Sequence, residues 1–173
     1  KMITNVFDKL PDLFTPEQRE GTIGFYGRTK GTRFVRYIDR RLIDEHPNLD
    51  KYKVVLPKSN GSGAIGETLS SPFVGQPHIG ATQTFITIGV FDTKAEAEAC
   101  LKYVKTKFAR TMLGILKVTQ DNPKDTWQYV PMQDFTATSD IDWSQSVAEI
   151  DQQLYRKYAL SQEEIAFIEK MIK

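Results

Sequence analysis

The run from Thr82 to Phe91 leads straight into Asp92-Thr93-Lys94-Ala95-Glu96, and this junction constrains the fold more than any other feature of the chain. Phe85, Ile86, Ile88 and Val90 supply the branched and aromatic bulk that suits a pleated strand. Thr93 and Glu96 then stand at capping-box spacing, where each side chain satisfies a backbone N–H that the first helical turn leaves unpaired. Ala97, Leu101, Val104, Phe108, Met112 and Ile115 follow at steps of four and three, which predicts one long helix with that face buried. A second row at the same steps, Tyr103, Lys107, Arg110, Gly114 and Lys117, gives the helix a basic stripe with a small residue suited to close approach.

The remaining elements build around this pair. Thr22 to Tyr26 and Arg33 to Ile38 are β-prone and flank Gly27-Arg28-Thr29-Lys30-Gly31, which predicts a hairpin with a loose, basic tip. Lys53 to Leu56 is a short strand ended by Pro57. Capping-box spacing recurs at Ser146 and Glu149 and at Ser161 and Glu164, announcing two terminal helices. The expected fold is α/β or α+β: a mixed or mostly antiparallel sheet packed by a long helix, in a single domain over residues 1–173, with a helical C-terminal appendage over residues 144–173.

Composition narrows the class. A hydrophobic share of 40% with 26% charged residues is that of an ordinary globular protein, and no apolar run is long enough to span a bilayer. The opening residues carry neither a signal-peptide apolar region nor transit-peptide character, so the cytoplasm is the expected compartment. Cys100 is alone, and with only His46 and His78 beside it no structural zinc site is expected.

The net charge of +1 conceals an uneven distribution. Residues 26–58 hold nine Lys/Arg against four acids, and residues 94–117 hold six against two. From residue 118 onward ten acids face five bases. A local cationic excess is what a phosphate-binding surface needs, and the acidic tail is expected to face away from a polyanion.

Motifs for chemistry fail on context. Gly61-Ser62-Gly63-Ala64-Ile65-Gly66 fits the dinucleotide fingerprint, but the residues after it reach Pro72 too soon to form the required helix. A surface loop, or one whose backbone N–H groups and Lys58, Ser59 and Asn60 touch phosphates, suits this stretch better. Asp12, Asp92 and Lys94 mimic a nuclease pattern only loosely, since Asp92 already belongs to a helix start. Neither histidine has a sequence neighbour that marks it as a general base.

Three stretches of sequence carry a resemblance. They are Gln83-Thr84-Phe85-Ile86-Thr87-Ile88-Gly89-Val90-Phe91-Asp92-Thr93 leading into residues 95–110 of the expected helix; Tyr129-Val130-Pro131-Met132-Gln133-Asp134-Phe135; and Ile150-Asp151-Gln152-Gln153-Leu154-Tyr155-Arg156-Lys157-Tyr158 with Leu160-Ser161 and Glu163-Glu164-Ile165. With Lys51-Tyr52-Lys53-Val54-Val55-Leu56-Pro57, they resemble the C-terminal region of adenine-specific DNA methyltransferases of bacterial restriction-modification systems, above all the type II proteins that fuse methylation to cleavage. The resemblance spans about residues 20–173.

It implies a target-recognition domain that reads double-stranded DNA while a separate catalytic domain, the expected partner, binds S-adenosylmethionine and methylates adenine. That family's catalytic Asp/Asn-Pro-Pro-aromatic signature has only a distant echo in Asp121-Asn122-Pro123-Lys124. No catalytic residue, cofactor or metal is therefore expected in this chain. The alternatives are a specificity-subunit fragment and a protein-docking module of a multi-subunit system.

Side-chain chemistry selects the expected DNA contacts. Arg33, Arg36, Arg40, Lys53, Lys58, Lys107, Arg110 and Lys117 are the candidate phosphate ligands, and Asn60 and Gln83 the polar groups suited to base edges.

Overall fold

The computed structural model describes residues 2–59, 64–117, 119, 121 and 123–172. After a short helix α1 (Val6–Lys9), strands β1 (Thr22–Thr29) and β2 (Thr32–Asp39) form the expected hairpin, but it is longer and tighter than the sequence suggests. Its turn is only Lys30-Gly31, with φ of 48° and 87°, so both central residues are left-handed as a two-residue type I′ turn requires. That turn pairs Thr29 with Thr32 and Arg28 with Arg33. Strand β3 (Tyr52–Pro57) is followed by two short strands, β4 (Phe73–Gly75) and β5 (Ile79–Ala81), and by β6 (Phe85–Phe91).

Two three-stranded sheets result, where the sequence suggested one. The first, in the order β2-β1-β5, is mixed, because β5 runs parallel to β1. The second, β4-β3-β6, is antiparallel throughout. Each sheet has its own apolar cluster: Val6, Phe7, Ile23, Phe25, Ile38 and Leu49 cover one face of the hairpin, and a larger core lies between the second sheet and the helices. Tyr26 joins the sheets, its ring centroid 4.7 Å from that of Phe73 and 4.9 Å from that of Phe85.

The single long helix is two helices, α2 (Lys94–Lys105) and α3 (Lys107–Leu116). Thr106 separates them, with extended backbone at φ −61° and ψ 150°. Its hydroxyl donates to the Tyr103 carbonyl at 2.6 Å and accepts from the Ala109 N–H at 3.1 Å, so one side chain closes the first helix and caps the second. Asp151 completes the cap, accepting the N–H groups of Lys107 at 2.9 Å and Phe108 at 2.8 Å.

All three capping boxes form, at Thr93/Glu96, Ser146/Glu149 and Ser161/Glu164. The last two start α4 (Val147–Lys157) and α5 (Gln162–Met171). These helices are no appendage: Ile150, Leu154, Tyr155, Ile168 and Ile172 sit inside the large core. No helix among the described residues is long and apolar enough to cross a membrane.

Candidate nucleic-acid interface

A strand directs successive side chains to opposite faces, so hairpin register decides which arginines can act together. Arg28 and Arg33 are cross-strand partners next to the turn and project from the same face. Arg36 has the opposite parity and lies over the ring of its neighbour Phe34, 4.7 Å from the centroid, on the face that carries the small core. Arg33 instead reaches toward the second sheet, its guanidinium 5.7 Å from the Phe85 ring centroid.

Where the two sheets meet, a cleft of about 590 Å³ opens. Arg28 and Arg33 line it from the hairpin, Lys58 and Ser59 from the end of β3, Gln83 and Thr84 from the approach to β6, and Ser70 from the intervening loop. Arg28, Arg33, Lys58 and Gln83 are all exposed. Among the described residues neither Arg28 nor Arg33 has a salt-bridge partner, whereas Lys58 faces Asp121 at 3.7 Å. Asp121 also accepts a hydrogen bond of 2.5 Å from the Ser59 hydroxyl, and these two neighbours hold its carboxyl below the ordinary aspartate range.

Like charges directly opposed across a hairpin are destabilising. The Arg28–Arg33 pair is therefore a poor choice for stability alone, and it sets two guanidinium groups on the same face beside one cleft, where an anion could engage both.

The other expected contacts do not join this cleft. Lys53 is 1% exposed, and its ammonium donates to the carbonyls of Asn48, Leu49, Lys51 and Gln76 at 2.9 to 3.3 Å. Burial pulls that amine down to about 8 against the attraction of Asp50. It pins two loops together and is out of reach of a phosphate. Arg40 is neutralised by Asp50 at 2.7 Å and Glu45 at 3.0 Å.

The basic stripe of the expected long helix is likewise corrected. Arg110 is 7% exposed and donates to the Gly66 carbonyl at 3.1 Å and to Thr68 Oγ1 at 3.2 Å. Lys117 is buried against Glu67, and Lys107 pairs with Glu169 at 2.6 Å. Gly114 does admit a close approach, but by this chain's own Ile65 and Gly66. Asn60 and Gly61-Ser62-Gly63 lie outside the described residues.

Of the expected contacts, Arg33, Lys58 and Gln83 come together, and Arg28 joins them. Arg28 was readable from the sequence only through the turn length, since a two-residue turn at Lys30-Gly31 fixes its pairing with Arg33. Asp92 pairs with Lys51 and precedes the α2 cap. Among the described residues, no group of three or more His, Cys, Asp and Glu side chains converges as a metal site. His46 contacts Asn48 at 2.8 Å and His78 contacts Asp50 at 2.8 Å. No protein-family model matches the chain, and no significant match is found among curated proteins or solved structures.

Proposed function

We propose that this chain is the DNA-recognition unit of a bacterial restriction-modification enzyme, reading double-stranded DNA for an adenine-N6 methyltransferase whose catalytic and S-adenosylmethionine-binding residues lie outside it. The observation that carries the reading is the cleft lined by Arg28, Arg33, Lys58 and Gln83, in which Asp121 is the one described acid. Cations in such numbers neutralise phosphates and set register on the duplex. A two-stranded ribbon is also narrow enough to enter the major groove, where an arginine fork matches guanine O6 and N7, and a glutamine amide matches adenine N6 and N7. In this reading the work is cytoplasmic, and the partners are duplex DNA and the catalytic domain. A specificity subunit would do the same reading in a different assembly.

The test is selection of the chain against random duplexes at two salt concentrations, followed by sequencing of the retained pool. The expected result is a short enriched motif, with retention that falls as salt rises and fails in an Arg28→Ala/Arg33→Ala variant. Absence of retention even at low salt overturns the proposal.

A further inference from the structure

Helix α5 carries more apolar surface than the core uses. Ile165 and Ile168, with Ile172 just beyond the helix, point one row into the large core. Phe167 and Met171, one turn apart, lie on another side, where Phe167 is 52% and Met171 46% exposed. Beside Phe167, between α5 and α3, runs a groove of about 430 Å³, lined by Leu160, Phe167 and Ile168 on one side and by Phe108 and Met112 on the other. Phe167 is thus a large apolar side chain left exposed at the edge of an apolar groove.

The charges around the groove select its occupant. Among the described residues its ionisable lining groups are Glu163 and Glu164, both exposed. The Glu164 carboxylate is held in place by the Ser161 N–H at 2.8 Å and hydroxyl at 2.9 Å. A nucleic acid would meet like charge here. A second copy docking by this face would form an isologous contact and set one acidic rim against another.

We propose that this groove binds an amphipathic helix of a partner protein, whose large apolar residues at i, i+3 or i+4 and i+7 enter between α3 and α5 and whose flanking Lys or Arg side chains meet Glu163 and Glu164. The site is separate from the DNA-binding cleft and does not depend on that reading. It gives the chain a means of attachment to another subunit or domain.

The experiment titrates the whole chain into fluorescently labelled synthetic helices of about 15 residues, with Leu at those positions and either Lys or Glu at the flanks. The Lys-flanked helix is expected to bind at least about tenfold more tightly than its Glu-flanked counterpart, and Phe167→Ser to weaken it by at least about tenfold. Because Phe167 is exposed, its serine variant should retain the thermal melt of the parent chain and its retention on duplex DNA. Glu163→Lys is expected to shrink the preference for the Lys-flanked helix. Equal affinity for the two helices, or binding indifferent to Phe167→Ser, overturns the proposal. So does a dimer in sedimentation velocity that Phe167→Ser dissociates, since the groove would then be a self-contact.

Discussion

Replacing Arg28 and Arg33 together by alanine separates phosphate binding from folding. Among the cleft's cations these two lack an internal carboxylate partner in the described structure, while Lys58 shares its charge with Asp121. Each phosphate neutralised contributes about 0.9 to the slope of log affinity against log salt, so the double variant should lose about 1.8 of that slope. Over a fourfold rise in salt, that difference changes the ratio of parent to variant affinity by about tenfold, with the two converging as salt increases. The assay is fluorescence anisotropy on a labelled duplex carrying the selected motif, across a salt series.

The hairpin supplies the control. Since Arg28 and Arg33 oppose each other across it, removing both relieves a like-charge pair while giving up the Arg33–Phe85 contact, and the two effects should nearly cancel in the melting temperature. Lost binding then reports lost contacts. Arg110→Ala should do the reverse: its guanidinium is buried against the Gly66 carbonyl and Thr68, so stability falls while the salt slope of the folded protein is unchanged. An unaltered slope in the double variant, or a reduced slope in Arg110→Ala, refutes the assignment of phosphate contacts to the cleft.

Gly114→Ala should destabilise the chain although alanine favours a helix by about 1 kcal/mol, because a Cβ there meets Ile65 Cγ1 at 2.6 Å and the Gly66 backbone nitrogen at 3.0 Å; a raised midpoint in urea would show that residues 65–66 yield. Asp151→Ala strands the N–H groups of Lys107 and Phe108, one of them fully buried, and should cost on the order of 3 kcal/mol in urea unfolding; a loss under about 1 kcal/mol would mean that water replaces the carboxylate. Hydrogen bonds from Ser146 and Ser161 hold Glu149 and Glu164 below the ordinary glutamate range, so their contribution is present above the unfolded value and is lost as pH falls through the folded one. Glu149→Gln/Glu164→Gln should therefore lower the melting temperature near neutral pH and match the parent chain once acid has protonated both carboxylates, and a gap that does not narrow in acid would refute the assignment to ionised caps.

Local signals were legible and non-local ones were not. The capping boxes at Thr93, Ser146 and Ser161 use residues three apart, and all three helix starts stand where that spacing puts them. The hairpin was legible too, but its turn was overestimated because Lys30, which is not glycine, adopts the left-handed conformation. The break at Thr106 carries no proline or glycine, and the apolar row runs across it without a change of step. What makes the break tolerable is Asp151, which arrives from α4 to receive N–H groups that the start of α3 leaves without a helical partner. No reading confined to a window around Thr106 contains that partner.

Charge counting along the sequence cannot tell a free cation from one that the fold neutralises. Lys107 and Lys117 look like part of a cationic stripe until Glu169 and Glu67 are brought beside them by the fold. The acidic tail does not simply face away from the basic segments, since Asp121 pairs with Lys58 and Glu169 with Lys107. A cation with a carboxylate or a set of carbonyls beside it serves the fold, as Lys53 does; one held opposite another cation is a cost to the fold that calls for a compensating partner. By that criterion the Arg28–Arg33 pair is the most informative on the surface, because hairpin register forces it and no described carboxylate relieves it. Two adjacent guanidinium forks suit a polyanion, which is why the proposed DNA contact is placed on this pair.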